Sequence, residues 1–241
     1  MYPSRQDSSD RQESIRIALV DDQTLVRSGI ARLLDDEPGL NVVQHLNSGE
    51  QAIESIKNSF ESSIDIMLLE ARMPGLGSIE TARQILEIRP DLKIIAMSSV
   101  ASGVIPSQML RMGVQGFISK RIDADEFYKA IRLVHGGQHY VSSEVATKLA
   151  VDPFNQQDSL FDKLSRREMQ IAQMLTDGKK VSQISGFLDL SPKTVYSYRY
   201  RIFEKLGIRS DVELTILAVR HGLTDDTREL TDLTEVRRFA G

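Results

Sequence analysis

Five polar residues, far apart along the chain, could share one piece of chemistry: Asp21, Asp22, Glu70, Ser98 and Lys120. Each follows or closes a short apolar run. Asp21-Asp22 come after Ile15–Val20, Glu70 after Ile64–Leu69, Ser98 after Lys93–Met97, and Lys120 after Val114–Ser119. Carboxylates gathered at strand ends suit a hard divalent cation, because Mg²⁺ takes oxygen ligands and keeps several waters, so two or three carboxylates suffice. Lys120 could balance charge on a phosphoryl oxygen, and Ser98 could donate a hydrogen bond to the same group. The plain alternative for Asp21-Asp22 alone is a pair of solvated loop acids. Five such residues on one rim weigh against it.

They share a rim only if the apolar runs lie side by side as parallel strands. The runs Ile15–Val20, Leu40–Leu46, Ile64–Leu69, Lys93–Met97 and Val114–Ser119 alternate with helical patterns over Gln23–Asp35, Gly49–Phe60, Ser78–Ile88, 103–112 and Ala124–His135. This alternation predicts a doubly wound α/β domain (flavodoxin-like) over residues 15–136, with helices on both faces of a parallel sheet. Such sheets bind ligands outside the carboxyl ends of their strands. Gly136–Tyr140 breaks the pattern, and Ser143–Ala150 reads as one more short helix. Residues 137–162 are expected to be a linker carrying that helix, with Pro153, Asn155, Gln156 and Gln157 in its flexible part. Beyond it the patterns are all helical, near 165–177, 180–188, 191–206 and 210–221. The second domain is placed at 163–223, a disordered leader at 1–14 and a charged tail at 224–241.

A length of 241 residues suits one large or two small domains. The net charge of −4 gives no overall sign of a polyanion partner. The charge is uneven, however: residues 163–207 hold nine Lys or Arg against four acids, a local basic excess that suggests nucleic acid for that part alone. There is no Cys, which excludes disulfides and thiolate metal sites and fits a cytoplasmic protein. The leader lacks an apolar core of signal-peptide length, and no run approaches a membrane span.

In the basic region, Ser165 is a plausible helix cap with Glu168 in the first turn, and Gly178 ends that helix. Leu190-Ser191-Pro192 gives a turn, a Ser cap and Pro at the first helical position. Two helices joined by a short turn, the second rich in bases, form a helix-turn-helix pattern. Helical spacing turns Val195, Tyr198, Ile202 and Leu206 inward. Lys193, Tyr196, Ser197, Tyr200, Arg201 and Glu204 share the opposite face, which a recognition helix presents to the major groove. Tyr196, Ser197, Tyr200 and Arg201 are the candidates for base edges, and Arg201 could pair bidentately with guanine. Lys179, Lys180, Lys193, Thr194 and Lys205 suit phosphates. The bland reading of this face is a solvated side of a helical bundle. The four histidines are scattered and read as packing or surface residues.

The segments Ile17-Ala18-Leu19-Val20-Asp21-Asp22, Met73-Pro74-Gly75, Ser98 and Phe117-Ile118-Ser119-Lys120 resemble the receiver domain of bacterial response regulators, over about residues 15–135. The resemblance implies a Mg²⁺ site made by Asp21, Asp22, residue 70 and the backbone carbonyl of Arg72. It implies that Ser98 is the switch hydroxyl, Phe117 the rotating aromatic and Lys120 the phosphate-contacting lysine. Glu70 stands where that family has its phosphoacceptor Asp. One added methylene, about 1.5 Å of chain, misplaces an in-line attack whose catalysis is mostly positioning. It also carries a negative group outward toward Ser98 and Lys120. Three outcomes stay open: a domain locked toward its active form, an inactive or ligand-independent domain, or slow acceptance of phosphate.

Leu164-Ser-Arg-Arg-Glu168, Ser191-Pro-Lys-Thr-Val195 and Lys205-Leu206 resemble the LuxR-type helix-turn-helix of the NarL/FixJ class, and Ser191-Pro-Lys-Thr-Val-Tyr-Ser-Tyr-Arg-Tyr-Arg201 with Asp211-Val-Glu-Leu214 resemble, within it, the GacA/UvrY/LetA-type regulators. That likeness implies a two-component transcriptional regulator rather than an enzyme. It implies a hybrid sensor histidine kinase as partner and promoters of small regulatory RNAs as targets. It also implies a homodimer on DNA through the last helix, where Val212, Leu214, Leu217 and Ala218 are candidates. The competing classes are a Mg²⁺-dependent phosphotransferase, for which no Asp-x-Asp motif, P-loop or His cluster is found, and an adaptor whose DNA helix is idle.

Overall fold

The computed structural model describes residues 14–58, 64–99, 103–151 and 160–224. The expected leader up to residue 13, the linker stretch around Pro153 and the tail from residue 225 lie outside the described residues. The first domain is built from β1 (Ile15–Val20), α1 (Thr24–Asp35), β2 (Leu40–Leu46), α2 (Gly49–Asn58), β3 (Ile66–Glu70), α3 (Ser78–Ile88), β4 (Lys93–Ser98), α4 (Val104–Arg111), β5 (Gly116–Ser119), α5 (Ala124–His135), β6 (Tyr140–Val141) and α6 (Ser143–Val151). The second comprises a short 3-10 turn at Leu160–Lys163 and helices α7 (Arg166–Thr176), α8 (Val181–Leu188), α9 (Pro192–Leu206) and α10 (Asp211–Arg220).

The six strands run in the order β2-β1-β3-β4-β5-β6, and every adjacent pair is parallel. Strand alternation divides their side chains between two apolar layers. Ile17, Leu19, Ile66, Leu68, Ile95, Met97 and Ile118 pack with Ala31 and Leu34 of α1 and with Phe127, Ile131 and Val134 of α5. Ala18, Val20, Met67, Leu69, Ile94, Ala96 and Phe117 pack with α2, α3 and α4 on the other face. With both faces covered, the interior of each strand must be apolar, so polar groups are pushed to the strand ends. The strand order reverses between β1 and β3, and a crevice opens there beyond their carboxyl ends.

The break expected at Gly136–Tyr140 is instead the approach to a sixth strand. Two residues are too short to show a periodicity, so β6 leaves no mark in the hydrophobic pattern. Ser142, just after it, is fully buried: its backbone N–H donates to the Phe117 carbonyl at 3.0 Å, and its hydroxyl accepts from the Ser119 N–H at 3.1 Å. Helix α6 packs on β5 and α4 through the buried Val145. The first part of the expected linker is thus integral to the first domain.

In the second domain Ser165 caps α7 within a reciprocal capping box: its hydroxyl accepts from the Glu168 N–H, and the Glu168 carboxylate accepts from the Ser165 N–H at 2.7 Å. Ser191 caps α9, with Pro192 at its first position. The apolar layer around α2, α3 and α4 continues without interruption into this domain, through Phe161, Leu164, Met169, Val195, Ile202, Leu214 and Ala218. The two domains therefore meet over apolar side chains as well as polar ones.

Alignment of β1 with β3 is reinforced by one ion pair. Arg16 donates to Asp65 from its backbone at 2.8 Å and from its guanidinium at 2.9 and 3.1 Å. These bonds, the guanidinium ones foremost, hold the Asp65 carboxyl below the usual aspartate range. Its contribution is present above the ordinary Asp value of about 3.9 and disappears as pH falls through the depressed folded value. Asp65→Asn is expected to lower stability at neutral pH by up to about 1 kcal/mol and to flatten the acid limb of a denaturant-midpoint titration against pH.

Candidate functional site

The carboxyl ends of β1, β3, β4 and β5 place Asp21, Glu70, Ser98 and Lys120 on one rim. In register, Val20 lies beside Leu69, Glu70 beside Met97, and Ser98 beside Ser119. Asp21 is fully buried, Ser98 is 1% exposed and Glu70 is 4% exposed, while Asp22 is only partly covered. Glu70 is the last residue of β3 itself rather than part of the loop after it.

At the centre stands the Lys120 ammonium. It bonds Asp21 Oδ2 at 2.6 Å and forms an ion pair with Glu70 Oε2. The second oxygen of each carboxylate is held by backbone: Gln23 N–H donates to Asp21 Oδ1 at 2.8 Å, and Arg72 N–H donates to Glu70 Oε1 at 3.0 Å. Burial pushes the Glu70 carboxyl above its ordinary range, and the Lys120 charge opposes that rise. Burial disfavours the Lys120 charge in turn, but Glu70 and Asp21 together hold its pKa above the usual lysine value. A buried carboxylate without such a partner would be strongly destabilising.

Among the described residues no group of three or more His, Cys, Asp or Glu side chains is placed to hold a metal ion. Two of the carboxylates expected to hold Mg²⁺, Asp21 and Glu70, face Lys120 in this arrangement. The longer Glu70 side chain reaches the ammonium directly. The donors are oxygens of the kind Mg²⁺ takes, and a cation here would compete with Lys120 for Asp21 and Glu70. Phe117 is fully buried in the layer beneath α4. One residue of the rim had no signal in sequence: Arg27, one turn into α1, donates to the Asp21 carbonyl at 2.6 Å.

On the second domain, α9 presents Lys193, Tyr196, Ser197, Tyr200, Arg201 and Glu204 to solvent, while Val195, Ile202 and Leu206 are buried. Tyr196 and Tyr200 are 55% and 71% exposed, unusual for large aromatics without a partner. The Arg201 guanidinium lies 5.9 Å from the centre of the Tyr198 ring. Lys180 is exposed, and Lys179 and Thr194 are partly covered. The Thr194 hydroxyl bonds that of Ser191 at 2.7 Å. The ammonium of the exposed Lys205 bonds Glu168 Oε2 at 2.6 Å, tying α9 to the capping box of α7. On α10, Val212 is 68% exposed but Leu214 and Ala218 are core, and Leu217 is partly covered. Ile216, four residues beyond Val212, completes an exposed apolar pair. Helical spacing alone did not separate that pair from the core residues, because both faces of α10 carry apolar side chains.

Comparison with known proteins agrees on both halves. Residues 17–132 match the response regulator receiver domain family, and residues 162–218 match the LuxR family of bacterial regulatory proteins. Together they define a two-domain DNA-binding response regulator rather than an enzyme. The response regulator GacA of Pseudomonas viridiflava is 47% identical over 213 residues, covering 88% of this chain and 98% of its own. The response regulator UvrY of Escherichia coli K12 is 43% identical over 211 residues, covering 87% and 95%. The chain belongs to the family of two-component response regulators that contains the GacA and UvrY proteins. Among solved structures, RcsB of Salmonella enterica serovar Typhimurium bound to promoter DNA shares the fold, with a TM-score of 0.63 at 21% identity over 85% of this chain and 98% of that one. A LuxR-family response regulator of Aurantimonas sp. SI85-9A1 covers 57% of this chain and 96% of its own, at 28% identity and a TM-score of 0.52. No helix among the described residues is long and apolar enough to cross a membrane.

The placement of Lys205 separates folding from DNA contact. Lys205→Ala leaves the nearly buried Glu168 carboxylate without its cation. It is expected to destabilise the second domain by about 1–3 kcal/mol, read as a lowered midpoint in denaturant, whereas Lys193→Ala on the exposed face leaves that midpoint within about 0.5 kcal/mol.

Proposed function

We propose that this chain is a transcriptional regulator that binds promoter DNA through α9 without aspartyl phosphorylation, its receiver domain being held in a binding-competent state by Glu70. The observation that carries this reading is the coincidence of two features in one structure. Glu70 is ion-paired with Lys120 in the acceptor pocket, and the base-reading face of α9 is open to solvent. The Glu70 carboxylate supplies a negative charge beside Lys120, partly standing in for a phosphoryl oxygen. Ser98 and Phe117 occupy the switch positions around it, and Lys120 acts as the pocket's counter-ion. Receiver domains bind Mg²⁺ for phosphorylation; with Lys120 engaged, this pocket neutralises its carboxylates internally.

On DNA, Tyr196, Ser197, Tyr200 and Arg201 contact base edges, while Lys179, Lys180, Lys193 and Thr194 contact phosphates. Two copies bind together through α10, using Val212 and Ile216 rather than the buried Leu214 and Ala218. The likeness to GacA and UvrY supports promoters of small regulatory RNAs as targets and a sensor histidine kinase as the upstream partner. Glu70 uncouples the chain from phosphate delivered by that kinase.

DNA affinity, measured with and without acetyl phosphate for this chain and for Glu70→Asp, tests the reading. This chain is expected to bind equally with and without donor, and the Asp form to gain about five-fold or more on adding it. Donor-dependent incorporation of phosphate into this chain, or tight binding confined to the donor-treated Asp form, overturns it. Tyr200→Ala combined with Arg201→Ala is expected to abolish sequence preference with no change in thermal midpoint. Lys193→Ala is expected to weaken all sequences alike and to reduce the salt slope by about 1. Both are read in binding isotherms across a salt series.

A further inference from the structure

Arg72 joins the acceptor pocket to the DNA-binding domain. It lies two positions after Glu70. Its backbone N–H donates to Glu70 Oε1 at 3.0 Å, and its guanidinium Nη2 donates to the Gly222 carbonyl at 3.0 Å. Gly222 follows the last residues of α10. That helix ends in a Schellman motif: the Gly222 N–H bonds the Val219 carbonyl at 3.0 Å, and the Leu223 N–H bonds the Ala218 carbonyl at 2.8 Å, with Gly222 at φ +64°. The motif turns the carbonyls of His221 and Gly222 outward.

The His221 carbonyl accepts from the N–H of Val104, the first residue of α4, at 2.9 Å. The unsatisfied end of one helix thereby satisfies the unsatisfied start of another, with the dipoles aligned head to tail. The approach is so close that it needs a residue without a side chain. A Cβ on Gly103, which has φ +100°, would lie 2.5 Å from the His221 oxygen and 2.7 Å from the Gly222 Cα. Further polar contacts between the domains are more exposed: Asp162 with Gln108 and Arg111, and Arg166 with Glu87. A cleft of about 350 Å³ bordered by Ile79, Arg83, Met169 and Gln173 further thins the interface there. A second close approach lies at Gly77, where a Cβ would come within 2.7 Å of Gln173 Oε1 of α7, so the interface is tight at two places.

We propose that Arg72 is a positioning residue that couples the state of the acceptor pocket to the placement of the DNA-binding domain. Its backbone senses the reach of the side chain at position 70, and its guanidinium hooks the end of α10. The proposal rests on position 70 being the acceptor position, but not on whether Glu70 activates.

The absence of Cys allows a clean test by paired labels. Leu25→Cys on α1 and Phe187→Cys on α8, at residues 87% and 45% exposed, carry spin labels for distance measurement in the full chain. The chain with Arg72 intact is expected to give one narrow distance distribution. Arg72→Ala is expected to raise the ratio of open to closed forms about ten-fold, Arg72→Lys to restore part of the narrow population, and Gly103→Val to open the interface with Arg72 intact. Glu70→Asp, whose shorter carboxylate draws back from the Arg72 N–H, is expected to broaden the distribution, and to add nothing in the Arg72→Ala background. Thermal melts of each variant exclude unfolding as the cause of broadening. A narrow distribution in Arg72→Ala, or additive effects of the position 70 and position 72 changes, overturns the proposal. DNA affinity is read separately, so a donor-responsive parent chain removes the reading of Glu70 alone, while an unmoved distance distribution removes the role of Arg72 alone.

Discussion

One ammonium group makes the acceptor pocket tenable. Asp21 and Glu70 are almost wholly withdrawn from water at the ends of neighbouring strands, and Lys120 is bonded to both. Two buried carboxylates this close would repel each other and carry a heavy desolvation cost. Lys120 can reach them because the backbone of β5 delivers it: the Lys120 N–H bonds the Ser98 carbonyl at 2.8 Å, extending the β4–β5 ladder by one residue past the sheet. The parallel register is therefore part of the electrostatics. A slip of one residue in β5 would turn Lys120 to the opposite face and leave both acids uncompensated.

The same logic explains why the pocket is both rigid and consequential. Each carboxylate oxygen that does not face Lys120 is anchored by a backbone N–H, so the side chains report backbone position and the reverse. The loop after β3 is fastened in its turn, by the Ser78 hydroxyl to the Ala71 carbonyl and by the Leu76 N–H to Glu50 at 2.9 Å. Movement of residue 70 therefore spreads along a braced segment instead of dissipating in a loose loop. That segment faces the DNA-binding domain.

Much of this was legible in the chain itself. The strand–helix alternation is carried by long apolar runs, and each run ends in a polar residue, so the rim could be placed without coordinates. The helix caps at Ser165 and Ser191 follow from residue type, because a hydroxyl before an apolar period has few other uses. What escaped has physical reasons. β6 is two residues long and below any periodicity. The turning of Asp21 and Glu70 to Lys120 depends on side-chain reach and not on spacing. Lys205 lies on the boundary between two faces of α9, and its partner Glu168 is 37 residues earlier. The contact of α10 with α4 is made by backbone carbonyls, which carry no residue identity except at Gly103 and Gly222.

The division of contacts between the domains has a kinetic consequence. Helices α7 to α10 form a small all-helical unit, α9 packing on α7 and α8 and α10 on α7, and helical units of this size fold quickly. The parallel sheet pairs β1 with β3 across about fifty residues and needs several crossovers, so its loop-closure entropy makes it the slower element. The surface that receives the end of α10 is built on that sheet, through α4 and the loop after β3. When the whole chain refolds at once from denaturant, docking of the DNA-binding domain therefore waits for the sheet. For that interval a formed recognition helix is attached to a domain not yet able to hold it.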